Sequence, residues 1–381
     1  LFGNEGVIYF SVLWAIIKLY PKPLKKVLFL VQGEGRGHLT QAISLRQTLL
    51  DTDYQLVAVL VGNAAERPIP AFFYEQIQAP VEALPSPNLV FNSEGKVDFK
   101  KTLTHHLPRF RRFHKSLKQI NKAVQRYQPD LILNFYEILG GFYNALYRPS
   151  VPMVCVGHQY LFFHSRFQFP SKGKIDRFLV NFNSRLTALG AKRLLALSFD
   201  AQADEPAEQL YVVPPLLRQE VHSLSITHDD YILVYLNHPS LYAQILEWHQ
   251  RYPEVVLHCF WSKPDALPEE KMDETLTLHR LDGVKFLEMM SGCNALVTTA
   301  GFESVCEAMY LDKPVMVVPI HYEQACNAAD AERVGAGIVA ERFDLSILMN
   351  YLPHHQSVGE SFRQWCREGQ KQWLTHLESV T

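Results

Sequence analysis

Apolar runs and polar interruptions alternate along this chain in a rhythm that repeats in its two halves. Lys26–Val31 (KVLFLV) is a continuous apolar run, the signature of a strand covered on both faces. It breaks at Gln32–Gly33–Glu34–Gly35–Arg36–Gly37–His38, after which LTQAISLRQTLL carries helical spacing. Further strands are predicted at Gln55–Val61, Asp130–Phe135, Val151–Val156 and Ala191–Phe199, the last of the first half. His106–Tyr127 reads as a long amphipathic helix with a kink near Pro108, and the Pro- and Phe-rich stretch 63–104 follows no clear period. Leu210–Leu217, with adjacent Pro214 and Pro215, is the expected crossing into a second half. There the pattern predicts strands at 231–237, Val255–Phe260, Gly283–Phe286, Ala295–Thr298 and Pro314–Pro319. Helices are expected at Leu241–Gln250, Leu287–Gly292, Glu303–Leu311 and Glu323–Val334.

Strands separated by helices of this length form parallel sheets covered on both faces. The expected architecture is therefore α/β, with two doubly wound, Rossmann-like domains facing a cleft. The first is placed at 25–212 and the second at 213–355, after an apolar segment at 1–24. A C-terminal helix at 356–381, carrying Trp365 and Trp373, is expected to pack back on the first domain.

Composition narrows the partners. The 381 residues hold 37 Lys plus Arg against 39 Asp plus Glu, a formal charge of -2. That balance excludes a protein that holds nucleic acid by bulk charge. Six cysteines without a C-x-x-C pair read as buried, reduced thiols of a cytoplasmic protein. Residues 6–20 (GVIYFSVLWAIIKLY) are too short for a comfortable membrane span and lack the pattern of a signal peptide. A surface-lying anchor, an extra packed helix and part of a membrane segment all remain open for them. Lys18, Lys22, Lys25 and Lys26 follow, suited to anionic headgroups or to a solvated helix exit.

Two clusters carry the candidate chemistry. Gly33, Gly35 and Gly37 sit between a strand and a helix, where they permit a sharp turn and close approach of a ligand to helix N–H groups. The spacing is neither G-x-G-x-x-G nor a phosphate loop. His38 closes the loop at the strand's C-terminal edge, where doubly wound proteins bind ligands, and a neutral imidazole there could take a proton from a hydroxyl. No array of Asp or His completes a metal site, and Asp51–Thr52–Asp53 lies away from the other candidates.

The second cluster is ALVTTAGFESVCEAMYLDKPVMVVPIHYEQACNA, from Ala295 to Ala328. Thr299 ends a strand, Gly301 opens a turn, and Ser304 and Glu307 lie on the next helix, whose start could hold a diphosphate while Glu307 reaches a ribose diol. The following strand delivers Glu323 and Gln324, which suit sugar hydroxyls.

These two clusters resemble the GT-B glycosyltransferases, and among them the MurG-like group. The likeness covers 26 to about 340 and is strongest in Val27–Ala42 and Phe286–Val339. It implies that the C-terminal domain binds a nucleoside diphosphate-sugar, a UDP-sugar first among UDP, GDP and TDP. Gly301, Phe302, Ser304 and Thr299 would then lie at the phosphates, Glu307 at ribose, and Glu323 with Gln324 at the sugar, while Asn327 supports the loop. Gly35 and Gly37 belong to the acceptor-side loop, and Asn237, His238 and Ser240 pass near the diphosphate without the relatives' glycine pair. Plant-type and antibiotic-modifying relatives carry a histidine where this chain has Thr299, a departure that points toward the MurG-like branch.

The resemblance further implies an inverting, metal-independent hexosyl- or N-acetylhexosaminyltransferase with His38 as base and no separate cofactor. Its acceptor would be a lipid-linked or glycan hydroxyl, met at the inner face of the cytoplasmic membrane. Arg109, Arg111, Arg112, Lys115 and Lys118 among apolar neighbours suit either a lipid surface or solvent. Glu137, His158, Gln159 and Tyr160 follow strands of the acceptor domain and are candidate cleft residues, with Arg166 and Lys172 weaker ones. An epimerase of the same fold and a non-catalytic nucleotide-sugar binder remain the alternatives.

Overall fold

The computed structural model describes residues 23–63, 68–87, 110–263 and 266–381. The apolar segment at 6–20 and the predicted kink near Pro108 lie outside the described residues.

Seven strands form the first sheet: β1 (Lys25–Gln32), β2 (Tyr54–Asn63), β3 (Val81–Pro85), β4 (Leu131–Phe135), β5 (Met153–Val156), β6 (Arg193–Leu197) and β7 (Leu210–Val213). Their order is β3-β2-β1-β4-β5-β6-β7 and every pairing is parallel. The helices in between are α1 (Gly37–Thr48), α2 (Ala71–Ile77), α3 (Phe110–Tyr127), α4 (Ile138–Tyr147) and α5 (Lys174–Thr187). β4 and β5 are buried at every position, which is why they read as unbroken apolar runs.

The second sheet holds β8 (Ile232–Leu236), β9 (Leu257–Trp261), β10 (Glu269–Lys271), β11 (Leu276–Arg280), β12 (Ala295–Thr298), β13 (Val315–Val317) and β14 (Gly337–Val339). Its order is β10-β11-β9-β8-β12-β13-β14, parallel except for the short β10 edge. Its helices are α6 (Tyr242–His249), α7 (Gly283–Gly292), α8 (Phe302–Tyr310), α9 (Tyr322–Arg333) and α10 (Leu345–Tyr351).

Two sequence expectations are corrected. Gly283–Phe286 is the first turn of α7, because the Asp282 side chain accepts from the backbone N–H of Val284 and Lys285 at 2.9 and 3.0 Å and so starts a helix. The neighbouring strand is β11. Ala191–Phe199 is not the last strand of the first half: Leu210–Val213, read as part of the crossing, is β7. Its pairing with β6 buries Leu210, Val212 and Val213. The crossing starts at Pro214 and Pro215, which lack the N–H that would extend the ladder.

The last helix, α11 (Gly359–Glu378), returns across the boundary. Its Trp365 and Trp373 indoles donate to the backbone oxygens of Ser198 and Pro214 at 3.0 and 3.3 Å, while Arg363 donates to Tyr310 O in the second domain. A second tie joins Arg333 to both oxygens of Asp200 at 2.7 and 2.8 Å. One continuous apolar core consequently runs from the first sheet through α8 to α11.

Candidate active site

Because both sheets are parallel, the loops at their strands' C-terminal ends share an edge. Those after β1, β4 and β5 and those after β12 and β13 line one cavity of about 1110 Å³. Two non-glycine residues in this lining hold left-handed backbone, Tyr136 after β4 (φ 58°) and Ala300 after β12 (φ 63°). Such geometry is unfavourable and persists only under local restraint. Here the Tyr136 hydroxyl bonds Ser184 Oγ at 2.7 Å, and Asn327 Nδ2 donates to Ala300 O at 3.1 Å.

His38, in the first turn of α1, is buried and stacks on the Tyr136 ring at 5.5 Å. Its Nδ1 lies 3.1 Å from Gln41 Oε1 and its Nε2 lies 3.4 Å from Gln159 Nε2. Burial lowers its pKa below the ordinary imidazole value, against the opposing pull of Glu303, so the ring is neutral at pH 7. Gln41 Nε2 donates onward to Glu303 Oε1 at 2.5 Å, a contact between the domains. Gly37 permits it, since a Cβ there would lie 2.6 Å from the Glu303 carboxylate.

Deeper in the first domain sits Glu137. It caps α4 by accepting from Leu139 N at 3.0 Å, and it accepts from the Ser86 hydroxyl at 2.6 Å. Gly62 leaves room for it. Burial raises its pKa to about 7, against these two hydrogen bonds, so it titrates near neutrality. Around it the wall is apolar: Phe113, Leu117, Phe142, Leu146, Phe182 and Leu186.

The facing wall comes from the second domain. Phe302 stacks on His158 at 4.7 Å. Glu323 Oε1 accepts from Gln159 Nε2 at 3.1 Å and lies 3.4 Å from His158 Nε2. Burial works to raise the Glu323 pKa, but the contact with His158 and the nearby His321 and His38 carry it down to about 2.

The cavity thus brings together eleven residues expected from sequence: Gly35, Gly37, His38, Gly301, Phe302, Glu323 and Gln324, and with them Glu137, His158, Gln159 and Asn327. The remaining candidates lie outside its lining. Thr299 is buried beneath Gln324, whose Nε2 donates to its hydroxyl at 3.3 Å. Ser304 Oγ turns back to Gly301 O at 3.0 Å. Glu307 is buried in a bidentate pair with Arg218, at 2.5 and 2.7 Å. Asn237, His238 and Ser240 follow β8, with His238 Nδ1 2.7 Å from Ser240 Oγ. Arg166 and Lys172 are exposed away from the cavity. Asp51 and Asp53 precede β2, at the opposite sheet edge.

Sequence reasoning missed Gln41, Tyr136, Glu303, His321 and Arg218. Gln41 was within reach, being three residues after His38 on a helix and so on its face. Arg218 had no local signal.

A family model described as glycosyl transferase family 1 matches residues 25–354. The chain belongs to this family. Solved structures agree with this glycosyltransferase in fold. The glycotransferase of kitacinnamycin has a TM-score of 0.64 at 14% identity, covering 94% of this chain and 100% of that one. Phytolacca americana UGT2, complexed with UDP-2fluoro-glucose and pterostilbene, has a TM-score of 0.62 at 11% identity, covering 93% and 99%. The family 1 protein accordingly has the GT-B fold of two facing domains. A Caenorhabditis elegans protein, ugt-48, named for UDP-glucuronosyltransferases, is 39% identical over 51 residues, 13% of this glycosyltransferase. The match spans about a tenth of that relative's length. These matches are to the family as a whole and do not single out a MurG-like subgroup.

Proposed function

We propose that this glycosyltransferase inverts the anomeric centre of a nucleoside diphosphate-sugar, a UDP-sugar first, as it transfers the sugar to a hydroxyl of an apolar, lipid-linked acceptor. The observation that carries this reading is the buried His38 imidazole, set between an apolar chamber in the first domain and the Gly301–Phe302 turn of the second. His38 Nε2 takes the acceptor proton as the hydroxyl oxygen attacks the anomeric carbon. The C–O bond to the diphosphate breaks on the opposite face, and the N-terminal end of α8 receives the departing charge. Glu323 and Gln324 meet sugar hydroxyls. No step of this reaction calls on a divalent ion.

The surface around the chamber supports a lipid-borne acceptor. On α5, Ile175, Phe178 and Phe182 are 75, 66 and 50% exposed and recur at helical spacing, and Phe182 also lines the cavity. Lys174, Arg177 and Arg185 are exposed on the same helix. Helix α3 exposes Arg112, Lys115, Lys118 and Lys122 and contains no acidic residue. Apolar side chains ringed by cations suit an anionic bilayer surface. Among the described residues no helix is long and apolar enough to cross a membrane.

Saturation-transfer NMR with UDP-, GDP- and TDP-sugars, followed by turnover with lipid-linked and glycan alcohols, tests the reaction. A donor signal and acceptor-dependent loss of donor are expected. Silence across the panel at millimolar concentration overturns the proposal, and donor conversion without acceptor replaces it with an epimerase. For the surface, cosedimentation should rise when anionic phosphatidylglycerol is added to phosphatidylcholine vesicles, and fall in Ile175→Ser/Phe178→Ser. Equal sedimentation of both proteins on both vesicles removes the bilayer from the reading.

A further inference from the structure

A histidine serves as a base only in the tautomer whose lone pair faces the proton to be taken, and in this protein the source of that choice is visible. We propose that two carboxylates of the second domain, Glu303 and Glu323, act through Gln41 and Gln159 to hold His38 with its proton on Nδ1 and its lone pair on Nε2. The inference rests on the reading of His38 as the base.

The argument is one of donor and acceptor counting. An ionised carboxylate accepts only, whereas a glutamine amide has one accepting and one donating end. Glu303 Oε1 sits 2.5 Å from the Gln41 amide, so the NH2 end of Gln41 turns toward it. The Gln41 oxygen is then the atom left 3.1 Å from His38 Nδ1, and it is satisfied only if Nδ1 carries the proton. Gln41 is almost fully buried, so no water stands in for either partner. On the other side Glu323 does the same to Gln159: it takes that NH2 group at 3.1 Å, and the same nitrogen lies 3.4 Å from His38 Nε2. A donor on that side is compatible with a lone pair at Nε2 and not with a second N–H.

Two independent acceptor-only groups therefore give one answer for the ring. The long contact from Gln159 is the one an acceptor hydroxyl would displace. Both carboxylates belong to the second domain and both glutamines to the first. The positioning residues and the base thus come into register only when the two faces meet.

The tautomer can be read without any substrate. In protein labelled with 15N-histidine, the ring-nitrogen shifts of His38, assigned by their absence in His38→Phe, should report a protonated Nδ1 and an unprotonated Nε2. Glu303→Gln introduces a group that can donate, which frees Gln41 to turn over; the signals should move toward the Nε2-protonated form, and Glu303→Asp should restore them. Unchanged shifts of buried His249 and His279 show that each variant is folded. An Nε2-protonated wild type, or a Glu303→Gln spectrum identical to wild type, overturns the proposal even if transfer activity is found. Conversely, the expected shifts would stand even if no donor is ever turned over. With a working substrate pair, Glu303→Gln should lower kcat roughly 10- to 100-fold and leave the KM for donor unchanged, as expected for a misset base.

Discussion

The two walls of the cleft prepare for ligand in opposite ways. The first domain offers space: an apolar chamber with the His38 imidazole and the Glu137 carboxyl set into its wall. The second domain offers groups already bonded to one another, with Gln324 on Thr299 and Asn327 on Ala300, backed outside the lining by Ser304 on Gly301 and Glu307 on Arg218. A ligand entering the first wall displaces water from apolar surface. One entering the second exchanges existing hydrogen bonds for new ones, so its net gain per contact is small and its geometric selectivity high. On the proposed reaction, the first wall decides which acceptor fits and the second decides which donor is correctly dressed.

The sharpest way to break this comparison is His38→Ala. Turnover of the proposed reaction should fall about 10²- to 10⁴-fold, while saturation transfer from the donor stays as in the wild type. Loss of both together would mean that the walls do not act separately. Next in size is Arg218→Met, which leaves Glu307 buried without its cation. Urea unfolding should show a loss of roughly 3–5 kcal/mol, most of it recovered in Arg218→Met/Glu307→Met. A single variant as stable as wild type would place that pair in solvent.

The apolar wall has its own test in Glu137. Its folded pKa of about 7 exceeds the ordinary 4.5, so the folded state keeps a proton that the unfolded chain releases between those values. Stability should therefore fall as pH rises from 4.5 to 7 and level off above, by about 3 kcal/mol in all. Glu137→Gln keeps the oxygen that accepts from Leu139 and Ser86 and should gain on wild type by that amount at pH 8 but not below pH 4.5. A constant difference between the two would refute the buried titration. The smallest effect belongs to neither wall: Trp373→Phe removes one hydrogen bond to Pro214 and should cost about 1 kcal/mol in the same unfolding assay.

Sequence pattern reached the inner strands and stopped near the edges. β1, β4 and β5 are covered on both faces and read as apolar runs, whereas the three-residue strands β10 and β14 are too short to show a period. Helices α4 and α5 went unread, the first because it contains adjacent Gly140 and Gly141, the second because its exposed face is itself apolar. At the candidate site, His38 and the Gly301 and Glu323 loops were legible because they follow strand ends. Their partners were not: Gln41 meets Glu303 across 262 positions and Arg218 meets Glu307 across 89, distances at which no local pattern operates.

The returning helix has a consequence for how the protein is made. Phe362, Trp365, Trp373 and Leu377 belong to the same buried core as the first sheet, yet they leave the ribosome after both domains have been synthesised. At about 5–20 residues per second, roughly 10–30 s separate the emergence of β7 from that of the helix that covers it. During that interval the first domain carries an uncovered apolar flank, which makes it the part of the nascent chain most in need of a chaperone.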